Sequence, residues 1–188
     1  MATTGLDDIR ARLPGPGTGG RYLLAYSGGL DSTVLLHALV RAGLPAPLEA
    51  IHIHHGLQPA ADRWPGHCQR VCQQLGIPLT VLEVTPVRGP RLSPEAEARR
   101  ARYDALRSAM RSGDVLLTAH HLDDQAETLL LQLLRGAGPR GLAAMPTLSE
   151  FPPGWHARPL LACSRMALET YARQHGLEWV EDPSNTDT

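Results

Sequence analysis

Short apolar runs alternate with longer stretches of helical periodicity along most of the chain. RYLLAY (21–26), LEAIHIHH (48–55), PLTVLEV (78–84), DVLLTAH (114–120) and HARPLL (156–161) each read as a strand. Apolar runs of this length between turn signals suit strands buried in a sheet. Between them the apolar residues recur every three or four positions, in STVLLHALVRAG (32–43), residues 62–75, SPEAEARRARYDALRSAMRSG (93–113), DDQAETLLLQLLRG (123–136) and residues 164–175. That spacing predicts helices, and residues 6–13 add a short one. Local punctuation agrees. Gly43, Gly113 and Gly136 close three of the helices, and Ser93 stands as an N-cap with Pro94 in the first helical position. Pro65 is tolerable only in a first turn.

Strands that alternate with helices build β-α-β units. The expected fold is α/β, with an open, mainly parallel five-stranded sheet and helices on both faces. The pattern loosens after residue 136. The chain therefore divides into an N-terminal helix and loop (1–20), a core (21–136) and a C-terminal part of the same domain (137–188).

Composition narrows the function classes. A length of 188 residues suits one α/β domain, and 43% hydrophobic residues exclude a disordered chain. Aromatics make up only 4%, so aliphatic side chains fill the core. All 18 basic residues are Arg, and the net charge is −1. That is no blanket nucleic-acid footprint, so RNA contact needs a local Arg patch or a part outside this chain. Cys68, Cys72 and Cys163 make no disulfide framework. The N-terminus lacks a basic region followed by an apolar core, and no run of about 18 apolar residues occurs. A cytoplasmic protein without a membrane anchor is expected.

The chemistry concentrates where strands give way to helices. In open parallel sheets, ligands bind beyond the carboxyl ends of the strands. Ser27, Gly28, Gly29, Leu30, Asp31 and Ser32 lie there, after the first strand. Glycines let successive N–H groups turn into a concavity, and the following helix adds its free N–H groups and positive dipole end. The loop is neither a Walker loop nor G-x-G-x-x-G. A plain turn explains the glycines equally well, but Asp31 suits phosphate binding only if a Mg²⁺ ion bridges them. Asp31 as a mere helix cap is the alternative. TAHHLDDQAET (118–128) brings His120, His121, Asp123, Asp124 and Glu127 to the same edge, and Asp124 and Glu127 share a helix face. An Asp124-x-x-Glu127 capping box is the competing reading. His52 and His54 share one face of the second strand. A zinc site is a further option without compact ligand spacing.

Taken in order, SGGLDS, HIHHGL, EAEARRARY, TAHHLDDQAETLLLQLLRGAG, and RPLL followed by DPSN resemble the tRNA(Ile)-lysidine synthetase family of the PP-loop ATP pyrophosphatase superfamily. The resemblance runs over residues 21–186. The S-G-G-x-D-S loop marks the superfamily, whereas H-H-x-D-D-Q-x-E-T with R-G-A-G is more specific. It implies an adenine nucleotide alpha hydrolase-like fold. It implies ATP as co-substrate, Mg²⁺ at Asp31, free lysine, and the isoleucine tRNA with a CAU anticodon as partners. In such enzymes the C2 oxygen of the wobble cytidine attacks the α-phosphorus of ATP. Pyrophosphate leaves, and the lysine ε-amine then displaces AMP to give lysidine.

Carried onto this sequence, Ser27 to Ser32 would bind ATP, while Asp31, Asp124 and Glu127 would carry catalysis. His54, Arg99, Arg102, His121 and Arg135 would meet lysine or tRNA. In the family the chain continues beyond DPSN into C-terminal tRNA-binding domains, so this sequence is expected to be the catalytic core of a longer protein. The oligomeric state stays open, a homodimer being one option. A tRNA 2-thiolation enzyme of the same superfamily and a non-catalytic ATP-binding module are the competing readings.

Overall fold

The computed structural model describes residues 6, 8–54, 64–84, 93–136, 138 and 144–181. His55, residues 62–63 of the second expected helix, most of the glycine-rich loop after residue 136 and the DPSN motif lie outside them. A short 3₁₀ turn, Ile9–Arg12, stands where the sequence suggests a helix over 6–13. The elements that follow are β1 (Tyr22–Ala25), α1 (Leu30–Ala42), β2 (Leu48–His54), α2 (Trp64–Leu75), β3 (Leu79–Glu83), α3 (Pro94–Ala109) and β4 (Val115–Leu117). α4 (Leu122–Leu134), β5 (Leu148–Phe151), β6 (Gly154–Ala157) and α5 (Arg165–Gln174) complete the order.

The sheet has six strands in the order β3-β2-β1-β4-β6-β5. Every pairing is parallel except the β5–β6 hairpin at one edge. The expected α/β, mainly parallel sheet is present, with one strand more than the five read from the sequence. Of HARPLL only His156 and Ala157 are in a strand, and the following residues turn toward α5. The strand that pairs with β4 begins at Gly154, because Asp114 O accepts a hydrogen bond from Trp155 N at 3.0 Å. Gly154 is required there: a Cβ would lie 2.1 Å from Asp114 O.

Helices cover both faces, as the alternation of strand side chains demands. Tyr22 and Leu24 of β1 pack with α1, α2 and α5 in the larger core, whereas Leu23, Ile51 and Leu116 pack with Leu106 and Met110 at the end of α3. The start of β1 is tied down by Arg21. Its Nε donates to Asp114 Oδ2 at 3.2 Å, its Nη2 to Ala109 O at 3.1 Å, and its Nη1 to Glu49.

α4 departs from the usual amphipathic arrangement. It has no buried residue, and its inward side carries Asp124, Gln125, Thr128 and Gln132. Gln125 makes both of its amide bonds to the backbone of Met145, at 2.7 and 2.8 Å. Leu130 and Leu134 are exposed.

The chain runs from β1 outward to β2 and β3, then returns to β4 on the other side of β1. The connections leaving β1 and β4 therefore diverge, which opens a crevice at the carboxyl ends of these two strands. The site lies there.

Candidate active site

The loop after β1 is built by its own hydroxyls. Ser32 Oγ donates to Gly29 O at 3.1 Å, so the 3.0 Å contact between the two hydroxyls has Ser27 Oγ as donor. Gly29 N in turn donates to Ser27 Oγ at 3.3 Å. Gly28 has φ +85°, and a Cβ there would meet Cys68 Sγ at 2.8 Å, so only glycine fits. Its carbonyl accepts from Val180 N at 2.9 Å, fastening the loop to the chain after α5. α1 begins at Leu30, with Gly29 as N-cap and no side-chain cap. The first-turn N–H groups thus remain available to a ligand, beside the positive end of the helix dipole. By contrast α3, α4 and α5 are capped by Ser93, His121 and Ser164.

The second wall follows β4. His121 is the N-cap of α4: Asp123 N donates to its Nδ1 at 3.2 Å, and His121 N donates to Asp124 Oδ2 at 2.8 Å. The capping box is therefore His121 with Asp124, not Asp124 with Glu127, because the helix starts at Leu122. The His121 ring is nearly buried, and its Nε2 lies 3.6 Å from Asp31 Oδ2 and 3.7 Å from Asp124 Oδ2. Burial alone would push its pKa down; the contact with Asp31 and the charges of Asp124, Asp31 and Asp123 outweigh it, and the pKa is raised.

Asp31 Oδ1 is buried without a hydrogen-bond partner. A buried carboxylate oxygen left unpaired is costly, and a hard cation would relieve it. Asp31 and Asp124 both approach His121 Nε2, so the residues present fit a Mg²⁺ ion. Among the described residues no three His, Cys, Asp or Glu side chains are placed to hold a metal ion by themselves. Such an ion would complete its shell with phosphate and water oxygens.

The other expected residues divide. Glu127 is exposed one turn along α4 from Asp124. His54 closes β2 at the carboxyl edge and is half-buried. Arg99 and Arg102 are exposed one turn apart on α3; Arg99 stacks 5.3 Å from the Tyr103 ring. Arg99 also helps lower the pKa of His120 and His156, and Arg102 that of His52. Arg135 is the C-cap of α4, at the end of the helix opposite Asp124. Eleven residues of helix put it about 16 Å from Asp124 along the axis, which separates it from the crevice.

Sequence reasoning missed a polar group beside the site. Thr118 Oγ1 lies 2.8 Å from both His120 Nδ1 and His156 Nε2, and Arg158 Nη2 lies 3.0 Å from His156 Nδ1. His120 was visible in the HHLDD run, but His156 and Arg158 come from β6 and its end. Only the sheet order brings them beside β4.

These histidines set an acid limit on stability. Burial, then Arg158, His120 and Arg99, push His156 down to about 3. Burial pushes His120 down to about 4, offset in part by Asp124. Burial also lowers His37, His52 and His67. Between pH ~6.5 and ~4 the unfolded chain binds protons that the folded one refuses, so stability falls as pH falls through that window. His121, with a raised pKa, contributes oppositely: its share is present below pH ~6.5 and is lost as pH rises through its folded value. Melting temperature is expected to drop steadily from pH 7 to pH 4, and less steeply in His156→Gln. Equal slopes for the two proteins would contradict this.

An α/β crevice with an uncapped helix start, a glycine-hydroxyl loop and an orphaned acid offers the free N–H groups that a nucleotide phosphate would need. The PP-loop domain family matches residues 8–188, and the chain belongs to that family. It is 58% identical over 172 residues to a tRNA(Ile)-lysidine synthase of Pseudomonas aeruginosa, covering 89% of this chain and 38% of that one. It is 51% identical over 184 residues to the tRNA(Ile)-lysidine synthase of Methylococcus capsulatus, covering 97% of this chain and 41% of that one. The chain thus spans about two fifths of the length of the curated relatives it matches. Among solved structures, the U34-tRNA thiolase of Methanococcus maripaludis with its 4Fe-4S cluster aligns with a TM-score of 0.77 at 18% identity, covering 95% of this chain and 65% of that chain. The NH₃-dependent NAD synthetase of Campylobacter jejuni aligns with a TM-score of 0.56 at 14% identity, covering 93% and 71%. At such identities the likeness shows the shared fold.

Proposed function

We propose that this chain is the catalytic domain of a tRNA(Ile)-lysidine synthetase, a cytoplasmic ligase that joins lysine to the wobble cytidine of the CAU-anticodon isoleucine tRNA at the expense of ATP. The observation that carries the reading is the open α1 N-terminus between Ser27 and Ser32, with Asp31 in its first turn, Oδ1 buried and unpaired and Oδ2 3.6 Å from His121 Nε2. The identities to lysidine synthases support the substrates.

In this reading the amides of Leu30 to Ser32 and the Ser27 hydroxyl hold the phosphates of ATP. The C2 oxygen of cytidine attacks the α-phosphorus, and pyrophosphate departs against the dipole of α1. Asp31, with Asp124 behind it, would hold Mg²⁺, which when bound neutralises charge on the departing pyrophosphate. Free lysine has a side-chain pKa of about 10.4, so its ammonium must lose a proton before it attacks C2. Asp124 already accepts from His121 N. Glu127 has no partner among the described residues and is the better proton acceptor, with Asp124 supplying the second negative charge. Arg99 and Arg102, exposed one turn apart on α3, would meet tRNA phosphate. Arg135 would meet tRNA only outside the crevice.

The thiolation reading loses its sulfur chemistry. Cys68 and Cys72 are buried in the core one turn apart on α2, and burial pushes their thiols up to about 12 and about 11. Such thiols are inert.

The complete protein, given tRNA, lysine and ATP labelled in its α- and γ-phosphates, should release AMP and pyrophosphate only when tRNA is present. ADP and inorganic phosphate as products would overturn the proposal.

A further inference from the structure

Hydrogen-bond direction is fixed from Arg158 as far as Thr118. A guanidinium only donates. Arg158 Nη2, 3.0 Å from His156 Nδ1, therefore makes that nitrogen an acceptor, and the proton of the neutral ring sits on Nε2. His156 Nε2–H then donates to Thr118 Oγ1 at 2.8 Å. The Thr118 hydroxyl keeps its own proton and is placed to donate it to His120 Nδ1, also at 2.8 Å. In that arrangement His120 Nδ1 accepts, and the proton of the neutral ring sits on Nε2.

We propose that His120 is a neutral hydrogen-bond donor to an anionic oxygen of the substrate, and that Thr118, His156 and Arg158 are the positioning residues that lock its tautomer. The assignment of a substrate oxygen rests on the function proposed above; the locked tautomer does not. His120 Nε2 has no partner among the described residues, and it is not one of the buried unpaired atoms. It therefore meets solvent, in the loop that joins β4 to α4 at the edge of the crevice. Arg99 and Arg158 both lie close enough to act on the ring and favour an anion, against the opposing charge of Asp124. The lock itself is buried: His156 is 2% exposed and Thr118 8%. Arg158 is held in place by a second bond, from Nη1 to Pro146 O at 2.8 Å. The rings of Tyr103 and Phe151 flank His156 at 6.0 and 5.8 Å.

A hydrogen-bond donor fixed in this way needs no reorganisation when the ligand arrives. It also bars His120 from acting as the base for lysine. Its only basic nitrogen faces Thr118, so deprotonation falls to the carboxylates on α4. The anionic oxygen is a carboxylate or a phosphate. Free lysine supplies the first; ATP or tRNA supplies the second.

The test reads the imidazole nitrogens directly. In protein labelled with ¹⁵N at histidine and without substrate, the His120 signals, assigned by their loss in His120→Gln, should show the Nε2–H tautomer. Thr118→Val removes the hydroxyl at nearly constant shape and should give a mixture of tautomers, and Thr118→Ser should restore the single form. Separate additions of lysine, lysinamide, ATP and the tRNA anticodon stem-loop identify the oxygen. A shift with lysine but not lysinamide assigns the carboxylate; a shift with ATP or the stem-loop assigns a phosphate. In turnover, Thr118→Val should lower kcat about tenfold and His120→Gln on the order of a hundredfold. An Nδ1–H or charged His120 in the unmodified protein would overturn the proposal. So would an Nε2–H signal that no addition moves. The substrate-free spectra stand whether or not lysine is ligated, so failure of the lock and failure of the proposed function are separately visible.

Discussion

Asp31→Asn is expected to lower tRNA-dependent release of pyrophosphate on the order of a thousandfold, with the fold intact. The carboxylate stands in the first turn of α1, where a negative charge favours the helix dipole but opposes phosphate. One of its oxygens is buried and unpaired, and the other approaches His121. A helix cap would not leave Oδ1 in that state. A metal ligand would, and its loss should cost several kcal/mol in the transition state, where each tenfold in rate is about 1.4 kcal/mol. Asn keeps the shape and removes the charge, so circular dichroism and melting should change little. Raising Mg²⁺ should restore only part of the rate. Turnover within a few-fold of the unmodified protein would return Asp31 to an ordinary surface acid.

Glu127→Gln is expected to separate the two chemical steps. Adenylated tRNA should still form, since Glu127 touches neither the phosphate loop nor His121. Lysine transfer should slow on the order of a hundredfold, the usual scale for losing a proton acceptor. The variant should therefore accumulate the activated intermediate in a single-turnover experiment. Asp124→Ala should slow lysine transfer and, because Asp124 stands behind Asp31 at the proposed Mg²⁺ position, adenylation as well; it should also lower stability by about 1 kcal/mol, because Asp124 accepts from His121 N in the capping box. Glu127 makes no such bond, so Glu127→Gln should leave the melting temperature unchanged. Normal lysine kinetics in Glu127→Gln would leave α4 with a structural role alone.

Much of this was legible in the sequence where chemistry is local. Ser27 to Ser32 announce a loop and a helix start within six residues, and the structure uses all of them as such. The strands of the parallel part were legible because each is a short apolar run bounded by turns. HARPLL misled, because its apolar end packs under α5 as a turn: Leu160 and Leu161 are buried there without belonging to a strand. β5 carries only Leu148 and Phe151 as large apolar residues, too weak a pattern to stand out. TLLLQLL reads as a core helix, yet it turns leucines outward and polar residues inward. Periodicity finds a helix but does not say which face the protein covers. The Thr118–His120–His156–Arg158 chain was invisible because 38 residues separate its central pair, and only β4–β6 pairing joins them.

The central claim is that this domain directs lysine onto a cytidine. The most direct measurement is nucleoside mass spectrometry of CAU-anticodon isoleucine tRNA after incubation of the complete protein with ATP, Mg²⁺ and isotopically labelled lysine. The account predicts that the wobble cytidine gains the label, one lysine per AMP formed. A wobble cytidine left unlabelled while ATP is consumed, or one that gains sulfur in place of lysine, would contradict it.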